Sequence, residues 1–176
     1  TTYRLAFVKL VPENCNDTDQ IVDLKNHIDA NGKISYQIEQ KIYAPGAMTR
    51  DSDISAHTFN NVVLLVGQTQ STKKRQYADT IAQQEKNIKR VYNEVSISPS
   101  ITLLSHANDR WLTMKVYTEM LAKTGLKTAP IKVVTSDATV YLMGKVSREQ
   151  GKLAIDVTKQ VSGVQRVVTI FDYKTT

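Results

Sequence analysis

The chain is poor in the residues that usually carry chemistry. It holds one cysteine, three histidines and one tryptophan in 176 residues. A single cysteine excludes an intramolecular disulfide framework and a cysteine-based zinc site. Cys15, within Pro-Glu-Asn-Cys, reads as a lone thiol on a loop. His27, His57 and His106 are scattered, with no H-x-x-H, H-x-x-x-H or Cys-His spacing, so neither a metal nor a cofactor is expected. There is no G-x-S-x-G motif and no acid–base pair repeated in a cleft-like position, so an enzyme is not expected. Glycine and proline number 7 and 4, too few for a long flexible linker. The longest apolar runs, such as Val62–Val66, are too short to cross a membrane. No charged-then-apolar leader opens the chain, and the natural N-terminus is expected upstream of Thr1.

What is present is a core-forming and mildly basic sequence. Apolar residues make up 41%, which excludes a disordered chain. Lys and Arg number 23 against 17 Asp and Glu, giving a net charge of +6.

Self-comparison divides the chain. Val63-Leu64-Leu65-Val66-Gly67-Gln68 recurs as Val140-Tyr141-Leu142-Met143-Gly144-Lys145, 77 residues on. Asn87-Ile88-Lys89-Arg90-Val91 recurs as Gly163-Val164-Gln165-Arg166-Val167, and Ile34, Ile38 and Ile42 recur as Leu112, Val116 and Met120. Three landmarks in one order indicate duplication. The expected organisation is an extension over 1–29, a first domain over 30–97, a link over 98–106 and a second domain over 107–176.

Each copy opens with apolar residues at i, i+4 and i+8, one face of a helix. In the second copy Asn108 or Asp109 is the candidate cap. Strands are expected at Asp53–Phe59 and Ile131–Ser136. Their hairpin partners are Val62–Val66 and Thr139–Met143, after Asn60-Asn61 and Ser136-Asp137-Ala138 turns. Second helices follow at Ser71–Lys86 and Ser147–Val161, then strands at Ile88–Ile97 and Val164–Tyr173. The order is α-β-β-α-β, twice: an α+β fold with a three-stranded mixed sheet packed on two helices in each copy. Gly67 and Gly144 end corresponding strands, where a bulge or close backbone approach outweighs a phosphate site.

The duplication resembles the BON-domain family, and most of all the dual-BON outer-membrane lipoproteins of Gram-negative bacteria. The stretches that carry the resemblance are Val62–Gln68, Val91-Tyr92-Asn93-Glu94, Asn108-Asp109-Arg110-Trp111, Lys115-Val116, Val140–Gly144 and Val161–Val167. It covers residues 30–175 and leaves 1–29 outside. The resemblance implies two tandem BON domains in a periplasmic, non-enzymatic protein. It implies a place at the inner leaflet of the outer membrane, with a lipid anchor on a segment before Thr1. It further implies support of outer-membrane integrity, envelope or division proteins as partners, and contact of the second domain's first helix with anionic phospholipid. That helix starts at Asn108-Asp109-Arg110-Trp111 and includes Lys115 and Leu121. It departs from the family pattern at Tyr117, where a basic residue is usual.

The residues themselves point to the same helix. On a projection at about 100° per residue, Leu112, Val116 and Met120 form the expected core stripe by alignment with the isoleucines of the first copy, the alternative being Met114, Tyr117 and Leu121 inward. Met114, Tyr117 and Leu121, with Trp111 beside them, form a second apolar face. A two-layer domain buries one side of a helix, so the second face must meet the other domain, another subunit or a membrane. Charge leans the same way: 11 basic against 6 acidic residues over 108–176, 9 against 6 over 30–107, and 3 against 5 over 1–29. Basic residues and a tryptophan beside an apolar face suit an anionic membrane surface. The candidate site is therefore Trp111, Met114, Lys115, Tyr117 and Leu121.

Two other classes stay open. Residues 3–11 read as an apolar strand without a partner in either copy, and 18–29 read as a helix, which suggests a homo-oligomeric assembly protein. Lys73-Lys74-Arg75 and Lys89-Arg90 are compatible with phosphate contact. A nucleic-acid partner is not expected, because there is no G-x-x-G clamp and no aromatic sheet motif.

Overall fold

The strands that form the molecule's centre carry unbroken apolar runs, Val62–Val66 and Val140–Met143, and this governs the architecture. The computed structural model describes residues 32–99 and 105–175. The strand and helix expected within 1–29, Cys15 and His27 lie outside the described residues. In the first copy, helix α1 (32–42) precedes β1 (Asp53–Phe59), β2 (Val62–Thr69) and α2 (Thr72–Gln83). Two short stretches, β3 (Arg90–Asn93) and β4 (Ser96–Ile97), then run side by side with β2. The second copy repeats this as α3 (Ser105–Leu121), β5 (Ile131–Ser136), β6 (Thr139–Val146), α4 (Arg148–Gln160) and β7 (Arg166–Tyr173). Each sheet is mixed: the hairpin pair is antiparallel, and the strand after the crossover helix pairs in parallel.

Alternation along a strand sends neighbouring residues to opposite faces. In β2, Val63 and Leu65 join Ile38, Ile42, Ala78 and Ile81 under α1 and α2. In β6, Val140 and Leu142 join Leu112, Val116, Met120, Ala154 and Val157 under α3 and α4. The other faces meet each other. Leu64 and Val66 pack with Val134, Tyr141, Met143 and Ile170 in a third core, flanked by Phe59, Val62, Tyr92 and Val168. The molecule is thus helix–sheet–sheet–helix, and each two-layer domain uses its sheet's second face to hold the other domain. That is why Val62–Val66 and Thr139–Met143 read as continuous apolar runs.

The duplication extends to single hydrogen bonds. Asn60 and Asn61 (φ 49° and 64°) and Asp137 and Ala138 (φ 49° and 59°) form matching two-residue turns of the left-handed kind that hairpins favour. Ser35 meets Thr58 at 2.9 Å, and Thr113 meets Thr135 at 2.7 Å. The outer N–H of each edge strand is accepted by the first helix. Ala56 N donates to Glu39 Oε1 at 2.9 Å, and Val133 N donates to the Tyr117 hydroxyl at 2.9 Å. Ser71 and Ser147 cap α2 and α4, accepting from Lys74 N and Gln150 N.

Two details differ from the sequence reading. Helix α3 begins at Ser105, within the stretch expected as a link. Asp109 therefore sits inside the helix and does not cap it. Its buried carboxylate instead accepts from Asp137 N (2.8 Å) and Ala138 N (2.9 Å), holding the β5–β6 turn in its left-handed conformation. The glycine reading holds: a Cβ on Gly67 (φ 121°) would lie 1.8 Å from Asp53 O, and one on Gly144 2.4 Å from Pro130 O.

Gly67→Ala should therefore cost about 2 kcal/mol or more in chemical denaturation, from backbone strain and displacement of β1. Tyr117→Phe should cost about 1 kcal/mol, because Val133 N loses its acceptor while the ring stays packed. Thermal or urea unfolding checks both, and an unchanged midpoint for either variant would contradict the role given to that residue.

Candidate functional site

Seventeen residues, Ser105–Leu121, place the candidate side chains on α3. The stripe at Leu112, Val116 and Met120 is buried, at 1%, 0% and 4% exposure, and docks the helix on the second sheet. The side that faces away carries Trp111, Met114 and Leu121, exposed by 58%, 53% and 42%. Their spacing of i, i+3 and i+10 keeps them on one narrow face, about 15 Å long at a rise of about 1.5 Å per residue. Because the other domain lies across the sheets, it does not cover this face.

Lys115 borders the stripe. Its ammonium sits 5.8 Å from the centre of the Trp111 ring and donates to Ser162 O at 2.7 Å. The ring face and the carbonyl hold the cation against the apolar surface, a cation–π arrangement that also fixes the indole. Arg110, also exposed, flanks the other border, and Lys123 and Lys127 are exposed in the turn beyond Leu121. Glu119 is the exposed acid of the helix.

Four of the five candidate residues are thus brought together, and Tyr117 is not. It lies between the two stripes and turns inward, packed against the core beneath α3. Burial pushes its hydroxyl up to about 12, although the hydrogen bond from Val133 N opposes this. Tyr117 therefore closes the edge of β5 and does not belong to the outer face. The hydroxyl is what reverses the expectation, since an apolar side chain at that angle could not answer an edge N–H.

The remaining histidines both lie at contacts between the domains. His106 Nε2 is 2.7 Å from Asp53 Oδ2, and His57 sits on β1 beside Ser55. Among the described residues no three His, Cys, Asp or Glu side chains converge as a metal site would require. No described helix is long and apolar enough to cross a membrane.

The sequence is similar to a known family and to several known proteins. The model of the BON domain matches residues 33–99 and 108–174. An outer membrane lipoprotein, DolP, from Haemophilus influenzae is 28% identical over 140 residues, which are 80% of this chain and 72% of the relative. A protein named 21 kDa hemolysin from Actinobacillus pleuropneumoniae is 28% identical over 126 residues, 72% of this chain and 65% of that protein. Among solved structures, CdsD, a structural protein of the type III secretion system of Chlamydia trachomatis, aligns over 89% of this chain and 76% of its own, with a TM-score of 0.32 and 10% identity. With both repeats matched in full order, the chain belongs to the BON-domain family and carries two BON domains in tandem.

Proposed function

We propose that this chain is a non-enzymatic envelope protein that helps maintain the outer membrane, seated at the inner leaflet and contacting anionic phospholipid through α3. The observation that carries the reading is the exposed Trp111, Met114 and Leu121 stripe, bordered by Arg110 and Lys115, on the side of α3 opposite its core stripe. Similarity to an outer membrane lipoprotein supports the location. The excess of basic residues in the second domain supports the sign of the surface.

Magnitudes say what kind of binding to expect. Fully burying a large apolar side chain brings about 1.5–3 kcal/mol, and a basic residue at an anionic surface about 1 kcal/mol. Three half-buried apolar side chains and two cations sum to roughly 5 kcal/mol, which is sub-millimolar binding. A patch of that strength orients a protein already held near the bilayer and does not retain it alone. It fits the rule that stable attachment takes two signals, the second here being a lipid anchor upstream of Thr1.

Co-sedimentation with phosphatidylglycerol vesicles tests the reading. The wild-type protein should bind at low salt, weaken as ionic strength rises, and leave neutral phosphatidylcholine vesicles largely unbound. Trp111→Ala combined with Leu121→Glu should reduce binding at least tenfold with circular dichroism unchanged. Undiminished binding by the folded double variant would refute the site. A self-associating protein that ignores vesicles, and that Leu121→Glu renders monomeric in light scattering, would assign the face to a second copy.

A further inference from the structure

The seam between the two sheets has an apolar centre, and polar side chains gather on its border where the edge strands β1 and β5 meet. Position 57 of β1 corresponds to Val134 of β5, a member of the seam core, and its neighbours Ala56 and Thr58 are buried. The first domain thus sets a histidine into the seam where the second sets a valine. Facing it is Lys132 of β5, whose ammonium reaches across to donate to Thr58 O at 3.2 Å. Ser55 Oγ lies 3.2 Å from His57 Nε2. Glu39 of α1, already accepting from Ala56 N, is the carboxylate whose charge acts on Lys132. A cation from one domain and a titratable ring from the other therefore share a part-buried border beside the Glu39 carboxylate.

We propose that this border is an acid-sensitive joint: charging His57 sets a second cation beside Lys132 within the seam and parts one domain from the other while both remain folded. The seam is the smallest of the three cores, with six buried residues against ten and eleven beneath the helices, so it is the contact that yields first.

The direction follows from proton linkage. Burial, with the Lys132 cation adding to it, holds His57 down to about 3, well below the 6.5 of a free imidazole. Parted domains return the ring to water and to its ordinary value. The parted form then binds a proton that the closed form refuses, so each pH unit below about 6.5 favours parting about tenfold until the closed form also titrates. Above 6.5 the ring is neutral in both forms and exerts no pull. Lys132 is lowered by burial to about 8 and stays charged through the acid window. Burial raises Glu39, so its protonation favours the closed form and opposes parting as the pH falls through its range. The His106–Asp53 pair, at 2.7 Å, joins the same two domains.

Distances between spin labels on Lys73 and Lys152, exposed on the outer helices of the two domains, read the joint directly in the full chain with Cys15→Ser. At about pH 7.5 one narrow distance is expected. At about pH 5 the distribution should broaden and lengthen while far-ultraviolet circular dichroism is retained. His57→Gln, uncharged at both pH values, should stay narrow at both. Lys132→Met, which removes the facing cation, should show less acid broadening than the parent. The proposal fails if the parent distance is unchanged by acid, if both variants broaden as the parent does, or if the circular dichroism collapses at the same pH.

Discussion

Face-to-face packing of the two sheets is the contact on which the rest of the molecule depends. Leu64 and Val66 from one domain lock against Tyr141, Met143 and Ile170 from the other. A three-stranded sheet covered by two helices on one side leaves a second apolar side to be covered. Two copies in one chain solve this by burying those sides against each other. The outcome fixes the helices on the outside, so α3 presents its unburied face away from the partner domain. The exposure of Trp111 and the burial of Leu64 are two consequences of one packing decision.

The two copies keep the same skeleton and spend their differences at the edges. Serine caps, left-handed turns and the hydroxyl pairs Ser35–Thr58 and Thr113–Thr135 recur at matched positions. The acceptor for the edge N–H is a carboxylate in the first copy, Glu39, and a phenol in the second, Tyr117. Exchanging a charge for a ring removes an anion from α3, the helix whose outer face is basic-bordered. At the seam the asymmetry runs the other way, with His57 in the first copy where the second has Val134, and Lys132 in the second where the first has Ser55. Such differences distinguish the domains chemically without altering the fold.

Much of this was legible before any coordinates. Asp53–Phe59 and Ile131–Ser136 coincide with the structure at both ends, because turn residues bound each strand on its C-terminal side. The core stripes of α1 and α3 followed from helical period together with the match between the two copies. Helix α2 is shorter than its pattern suggested, ending at Gln83, and Asn87 takes a left-handed conformation (φ 65°) before β3. The last strand of the first copy is interrupted where Asn93 exchanges hydrogen bonds with Arg75. Three things needed tertiary structure. Tyr117 sits at an angle between stripes, and only the unpaired edge of β5 decides its direction. Asp109 resembles a cap until the helix is seen to begin four residues earlier. The unbroken apolar runs of β2 and β6 match burial on both faces, but only the structure shows that each covers the other.

Trp111 is the only tryptophan in the chain, so its fluorescence reports on the proposed contact face without any label. Titrating the full protein with phosphatidylglycerol vesicles, with and without brominated acyl chains, measures whether that indole enters a bilayer. The account predicts a blue-shifted emission on addition of anionic vesicles, quenching by the brominated lipid, and no response to phosphatidylcholine. Emission that stays at its aqueous wavelength and escapes the quencher, while the protein demonstrably binds the vesicles, would contradict the assignment of α3 as the membrane-facing surface.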